Sequence, residues 1–268
     1  MAKLTSPIEF TGLLGQLSFY KRKDSDQVLI RRKGGATKEK INTAQSMAGT
    51  RRVNAEFGGR ATAAKFILSV IRNLKPLAGY NIASELNKLL RPLQLMDSTS
   101  LAGQRSVCLS KSPALLQGLS FNRQNSFDAI IRNPVNYTLS RYSPVATITL
   151  PALLPGINFF TPPGRFAYYG IVVVMGIVPD LHYAATGYQI SSPLPVLATN
   201  TIYSDWYPVA AKTEPLTLAC SLGSVDDFIL PADHSLLLGI GIRFGLPAAD
   251  GSIEQVRYAG AGKVVGVR

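Results

Sequence analysis

Phe166–Val178, FAYYGIVVVMGIV, is the stretch whose reading decides the fold. Its 13 residues form the longest apolar run in the chain, short of the roughly 18–20 that a helix needs to cross a bilayer. β-branched residues crowd it at Ile171, Val172, Val173, Val174, Ile177 and Val178, which favours a buried strand. Working outward, further apolar runs at 145–150, 181–190, 201–209, 216–222, 235–244 and 253–267 are separated by Pro, Gly and Asp turns such as Thr161-Pro162-Pro163-Gly164 and Ala249-Asp250-Gly251. Seven strands with no helical run between them predict an antiparallel β-sandwich over 126–268 and disfavour a parallel βαβ sheet.

The first half reads differently. Alternation through Gln16–Lys21 and Val28–Arg31, with Asp24-Ser25-Asp26 between them, predicts a β-hairpin, and Gly12 and Gly15 bracket Leu13-Leu14 as a tight turn or close approach. From about Gln45 the period becomes helical: Phe57, Ala61, Ala64, Leu68 and Ile71 form the expected buried stripe, ended by Pro76. Gly58-Gly59 leaves open whether this is one helix or two. A second helix over roughly Ile82–Leu90 is bent or closed by Pro92. The expected fold is therefore α+β: an N-terminal β-hairpin plus helical hairpin in a module over 1–125, followed by an all-β antiparallel sandwich.

Charge is distributed unevenly. The formal net charge is +12, and residues 1–75 hold 15 Lys+Arg against 5 Asp+Glu, whereas residues 144–268 hold 6 against 8. Lys21, Arg22, Lys23, Arg31, Arg32 and Lys33 gather near the hairpin, Lys38 and Lys40 follow, and Arg51, Lys65 and Arg72 share one helical row. These eleven residues are the candidate face for an anionic partner.

Catalytic and cofactor signatures are missing. Lys33-Gly34-Gly35-Ala36-Thr37-Lys38 and Gly260-Ala261-Gly262-Lys263-Val264 both fail the phosphate-loop spacing, the latter because Arg257 stands at the first glycine position and Val264 at the hydroxyl position. His182 and His234 form no HxxxH or HExxH pair; His234 follows Asp226, Asp227 and Asp233, a set of carboxylates with one imidazole that more often marks a turn than a metal site. GxSxG is absent, and Tyr203, Asp205, Trp206 and Tyr207 suit a sandwich rim better than a sugar cleft. Cys108 and Cys220, 112 residues apart, form no CxxC unit. The expectation is a protein without cofactor, metal or small-molecule ligand, without a membrane span and, with no export signal at its start, cytoplasmic.

GLLGQLSFYKRKD, RRKGGATKEKI, TRRVNAEFGGRATAAK, LAGQRSV at 101–107 and LLQGLSFN at 115–122, in this order, resemble an uncharacterised family of bacterial proteins common in Bacteroidota. The family pattern reads TRENxxEFG, so Arg52 and Val53 depart from it and make this helix more basic. The resemblance implies organisation and carries no catalytic residue.

Two functions fit these features. One is a non-enzymatic structural or assembly protein that forms a homo-oligomer or docks in a larger complex through its β-sandwich and its basic N-terminal face. The other is nucleic-acid binding by the basic half, with Phe19 and Tyr20 as stacking groups, although no helix-turn-helix or RNA-binding signature accompanies it.

Overall fold

The computed structural model describes residues 2–3 (backbone only), 11–21, 27–32, 34–192, 198–223 and 230–268. The turn expected at 24–26, together with Arg22, Lys23, Lys33, Asp226 and Asp227, lies outside the described residues. The chain forms two compact units, Met1–Arg51 and Arg52–Arg268.

The first unit holds four antiparallel strands, β1 (Ala2–Lys3), β2 (Gly12–Leu14), β3 (Leu17–Lys21) and β4 (Val28–Arg32), in the order β1-β4-β3-β2. The β3–β4 hairpin pairs Phe19 with Ile30 and Lys21 with Val28. Phe19, Val28 and Leu29 are its buried residues, while Ile30 is half-buried. Helix α1 (Lys38–Thr43) follows, its first turn capped by Thr37 Oγ1, which accepts the Lys40 N–H at 3.2 Å.

α2 (Ala48–Val70) is one continuous helix through Gly58-Gly59. Its buried positions are Gly59, Arg60, Ala63, Ala64, Ile67 and Val70. Three residues of the expected stripe are therefore corrected: Phe57 is exposed and Ala61 and Leu68 are half-buried, whereas Ala64 and Ile71 are buried as expected. A 3-10 turn at Arg72–Leu77 leads to α3 (Ile82–Leu95), which continues through Pro92 and closes when the Met96 N–H reaches Pro92 O at 3.1 Å. A short α4 (Phe127–Ile130) is capped by Ser126.

The strands that follow are β5 (Asn136–Thr138), β6 (Val145–Leu150), β7 (Tyr168–Pro179), β8 (Leu181–Ala184), β9 (Gly187–Ile190), β10 (Thr199–Tyr203), β11 (Tyr207–Pro208), β12 (Leu216–Ser221), β13 (His234–Pro247), β14 (Ile253–Gln255) and β15 (Ala261–Val267). The runs expected at 181–190, 201–209 and 253–267 each divide into two strands. β7 and β13 are the long central pair of a six-stranded antiparallel sheet, joined by β10, β11, β14 and β15; β12-β6-β5 make a second sheet and β8-β9 a separate hairpin.

Alternation along β7 explains why its run is apolar throughout. Val172, Val174 and Val178 enter one core with α2, the 3-10 turn and α3, whereas Ile171, Val173 and Met175 enter another with Ala146, Ile148 and Leu150 of β6 and Cys220 of β12. The second unit is thus three layers: helices, the large sheet, and the small sheet that completes the sandwich. The two apolar sides of one strand serve two cores. Because α2 and α3 bury their apolar side on the large sheet, the compact units divide after Arg51 and not near residue 125.

Small residues on the helix-facing side let the helix layer sit close. A Cβ on Gly241 would lie 2.5 Å from Leu77 and 2.8 Å from Leu74, and one on Gly176 would lie 2.8 Å from Val70. A bulge shifts the β13–β15 register between Leu238 and Gly239, so that both Val264 and Val267 face the helices. No helix among the described residues is long and apolar enough to cross a membrane.

Candidate functional site

Of the eleven candidate cations, Arg22, Lys23 and Lys33 lie outside the described residues, and the other eight are divided between the two units. Arg31 and Arg32 are consecutive on β4 and point to opposite faces of the first sheet: Arg31 pairs with Ser18 and stacks 5.4 Å from the Tyr20 ring centre, whereas Arg32 pairs with Leu17. Lys21, Arg31, Arg32, Lys38 and Lys40 are exposed. Arg51 is half-buried and occupied within its own unit, where its Nη1 donates to Ile41 O and Ala44 O, both at 2.8 Å, at the C-terminal end of α1. Lys65 and Arg72 are exposed in the second unit. Phe19, one of the two expected stacking groups, is 6% exposed, and its ring belongs to the sheet's interior.

The motifs at 50–65 and 101–107 come together in a buried polar network around Gln94 of α3. Gln94 Oε1 accepts from Arg60 Nη1, while its Nε2 faces Arg105 O and Tyr188 Oη, each at 3.0 Å, and Glu56 O at 3.3 Å. Tyr188 Oη donates to Arg105 O at 2.8 Å. Glu56 Oε1 accepts the Gly103 N–H at 2.9 Å and lies 3.4 Å from Arg105 Nη1. Gly59 is required here because a Cβ would meet the Tyr188 ring at 2.5 Å. Burial lowers the Arg60 pKa, an effect opposed by Glu56 and reinforced by the like charge of Arg91; burial raises the Tyr188 hydroxyl to about 12. Gly59, Glu56 and Arg60 therefore serve packing, a role that hydrophobic periodicity has no means to reveal, whereas Gly58 is exposed with open space around it.

A second polar group lies where β7 meets β8. Asp180 is almost wholly buried and accepts the Ser110 N–H at 3.0 Å and the Ser110 hydroxyl. Burial raises its pKa, the two Ser110 bonds oppose the shift, and Asp233 adds to it. Burial also raises the Cys108 thiol, near Asp180, to about 11, so it is protonated and unreactive at neutral pH. His234 is fully buried with Nδ1 3.0 Å from Asp233 Oδ1, and its Nε2 has no hydrogen-bond partner among the described residues. Among the described residues no three His, Cys, Asp or Glu side chains lie close enough together to hold a metal.

The Asp180 geometry has a pH consequence. A carboxyl whose pKa is raised by folding contributes its full stability below the ordinary aspartate range, about 3.9, and loses it as pH rises through the folded value. Urea unfolding from pH 4 to 8 is expected to show Asp180→Asn gaining on the parent as pH rises. An identical pH dependence in the two proteins would refute the assignment.

Arg243 shows how the outer face of the large sheet is covered beyond the helices. Its guanidinium lies 4.1 Å from the Trp206 ring centre and 4.7 Å from that of Tyr203, and donates to Ser204 O at 3.2 Å. Trp206 in turn lies over Gly245. The aromatic group of 203–207 is thus a packed rim. The chain matches no protein-family model, no curated protein and no solved structure.

Proposed function

We propose that the chain is a non-enzymatic structural or assembly protein of the cytoplasm that self-associates, or docks in a larger complex, through the open edge of its N-terminal sheet. The observation that carries this reading is strand β2. It is the terminal strand of its sheet, it contains no charge and no proline, and Leu13, Leu14 and the adjacent Leu17 are 66%, 63% and 40% exposed. Natural edges are normally blunted by charge, proline, bulges or a covering segment. The second unit follows that rule. Residues 118–121 cover β15 through Gly118 N–H to Val264 O at 2.9 Å and Phe121 N–H to Gly262 O at 2.8 Å, β10 is tied to β12 by Asn200 Nδ2 to Ser221 O at 2.7 Å, and β14 carries Glu254. An apolar edge that no described segment covers offers backbone hydrogen bonds and leucines to an added strand.

Light scattering on the full chain is expected to show a defined oligomer or filament. Leu13→Lys/Leu14→Lys is expected to weaken association by roughly tenfold or more per leucine, the equivalent of losing about 1.5 kcal/mol of apolar burial at each. A strict monomer at high concentration would refute self-association, and a Leu13→Lys/Leu14→Lys variant that is still retained in whatever complex the parent enters would refute docking through this edge. Nucleic-acid binding is the weaker reading, since Phe19 is buried and Arg51 is engaged with α1.

A further inference from the structure

We infer that the end of the α2–α3 hairpin is a docking surface for an anionic lipid bilayer. Five large apolar side chains stand more than half exposed there: Val53 at 63%, Phe57 at 53%, Leu95 at 51%, Met96 at 65% and Leu101 at 74%. Several contacts bring them together. Val53 and Phe57 are one turn apart on α2. Glu56 O lies 3.3 Å from Gln94 Nε2, which sets that turn beside the last turn of α3 and its Leu95 and Met96. Gly103, two residues after Leu101, lies against α2, where an added Cβ would be 3.0 Å from Arg52 Cα. Isolated exposed apolar residues are ordinary on a protein surface, but a grouped set is not.

Charge selects the occupant. Arg52 and Arg91 flank the group, both are exposed, and neither has a carboxylate partner among the described residues. Arg91 lies near enough to Arg60 for the two charges to oppose each other; with Arg52 and Arg105 they make four arginines at this end against two carboxylates, Glu56 and Asp97, which leaves a positive excess. The same surface on a second copy would repeat that charge. Nucleic acid has no use for Val, Leu and Met, because four of the five residues offer no ring for a base to stack on. Aliphatic side chains projecting from helix ends and a loop, with arginines able to extend their charges outward, match the boundary between acyl chains and acidic headgroups.

Flotation of the full chain tests this, using phosphatidylcholine vesicles with or without about one third phosphatidylglycerol. Binding is expected to the anionic vesicles only. Phe57→Ser/Leu101→Ser should weaken it on the order of tenfold, and Arg52→Glu/Arg91→Glu by at least roughly tenfold, with unchanged circular dichroism. Lys212→Glu, a charge reversal away from the hairpin, should change it less than either. Absence of binding to the anionic vesicles, or equal binding by the parent and the double serine variant, would overturn the inference. So would a mass that falls in the double serine variant without any vesicle binding, which would assign the surface to a second copy.

Discussion

Gly241→Val is expected to lower the unfolding free energy by about 3 kcal/mol, at the upper end of what overpacking usually costs. The glycine lies mid-strand on β13, opposite Val172 of β7 and Gly262 of β15, and it faces the helix layer. Its missing Cβ is the space occupied by Leu77 and Leu74: the built atom would be 2.5 and 2.8 Å from them and 3.0 Å from Val172. Both leucines are fully buried on the 3-10 turn Arg72–Leu77, so neither can give way without moving the link between α2 and α3. Valine adds a Cβ and two methyl groups to a place with no room for the Cβ alone. The mechanism also predicts non-additivity. Leu77→Ala alone should cost about 2–5 kcal/mol through the cavity it leaves, yet Gly241→Ala added to it should cost far less than in the parent. Urea unfolding of the four proteins measures the coupling. Additive costs, or a Gly241→Val cost below about 1 kcal/mol, would contradict close contact between the turn and the sheet.

The same region shows which parts of the fold were legible in the sequence and why. β-branching and length marked the 166–178 run as a strand, and its two-sided burial followed once one face met helices and the other met β6 and β12. The alternation of β6 was equally plain, every second residue being buried. The phase of α2 was not legible. Apolar periodicity placed Phe57 inward, but the helix turns Arg60 and Gly59 inward, and Phe57 lies outside with its ring 5.8 Å from the Arg60 guanidinium. A buried arginine satisfied by a glutamine 34 positions away leaves no local signature. The unit boundary was hidden for a related reason. Helices that look complete beside a basic hairpin in sequence bury their apolar side on strands about a hundred residues later. Grouping the hairpin cations by sequence did not separate Arg31 from Arg32, which as consecutive strand positions point apart.

Gln94→Leu is expected to cost about 3 kcal/mol, the upper end for leaving a buried hydrogen-bonding group unsatisfied, because the donor left alone is charged. Leucine matches glutamine closely in size, so the loss would come from polarity. The Arg60 guanidinium would lose its Oε1 acceptor while its Nε is already without a partner, and the carbonyls of Glu56 and Arg105 would lose a donor. Tyr188 would keep Arg105 O, so the β8–β9 hairpin should remain attached. The arginine is the group that cannot be left alone, and Arg60→Met tests this. In the double variant the buried charge and its acceptor disappear together, and most of the loss should be recovered, since apolar replacement of both partners is nearly neutral. Hydrogen exchange provides a second readout. Gln94 ties α3 to the segment carrying Gly103 and Arg105, so the single variant should speed exchange there, at the Gly103 and Ser106 amides, more than in the β7–β13 pair. If the double variant were no more stable than Gln94→Leu, the network would act through shape and not through charge, and the buried Arg60 would need another explanation.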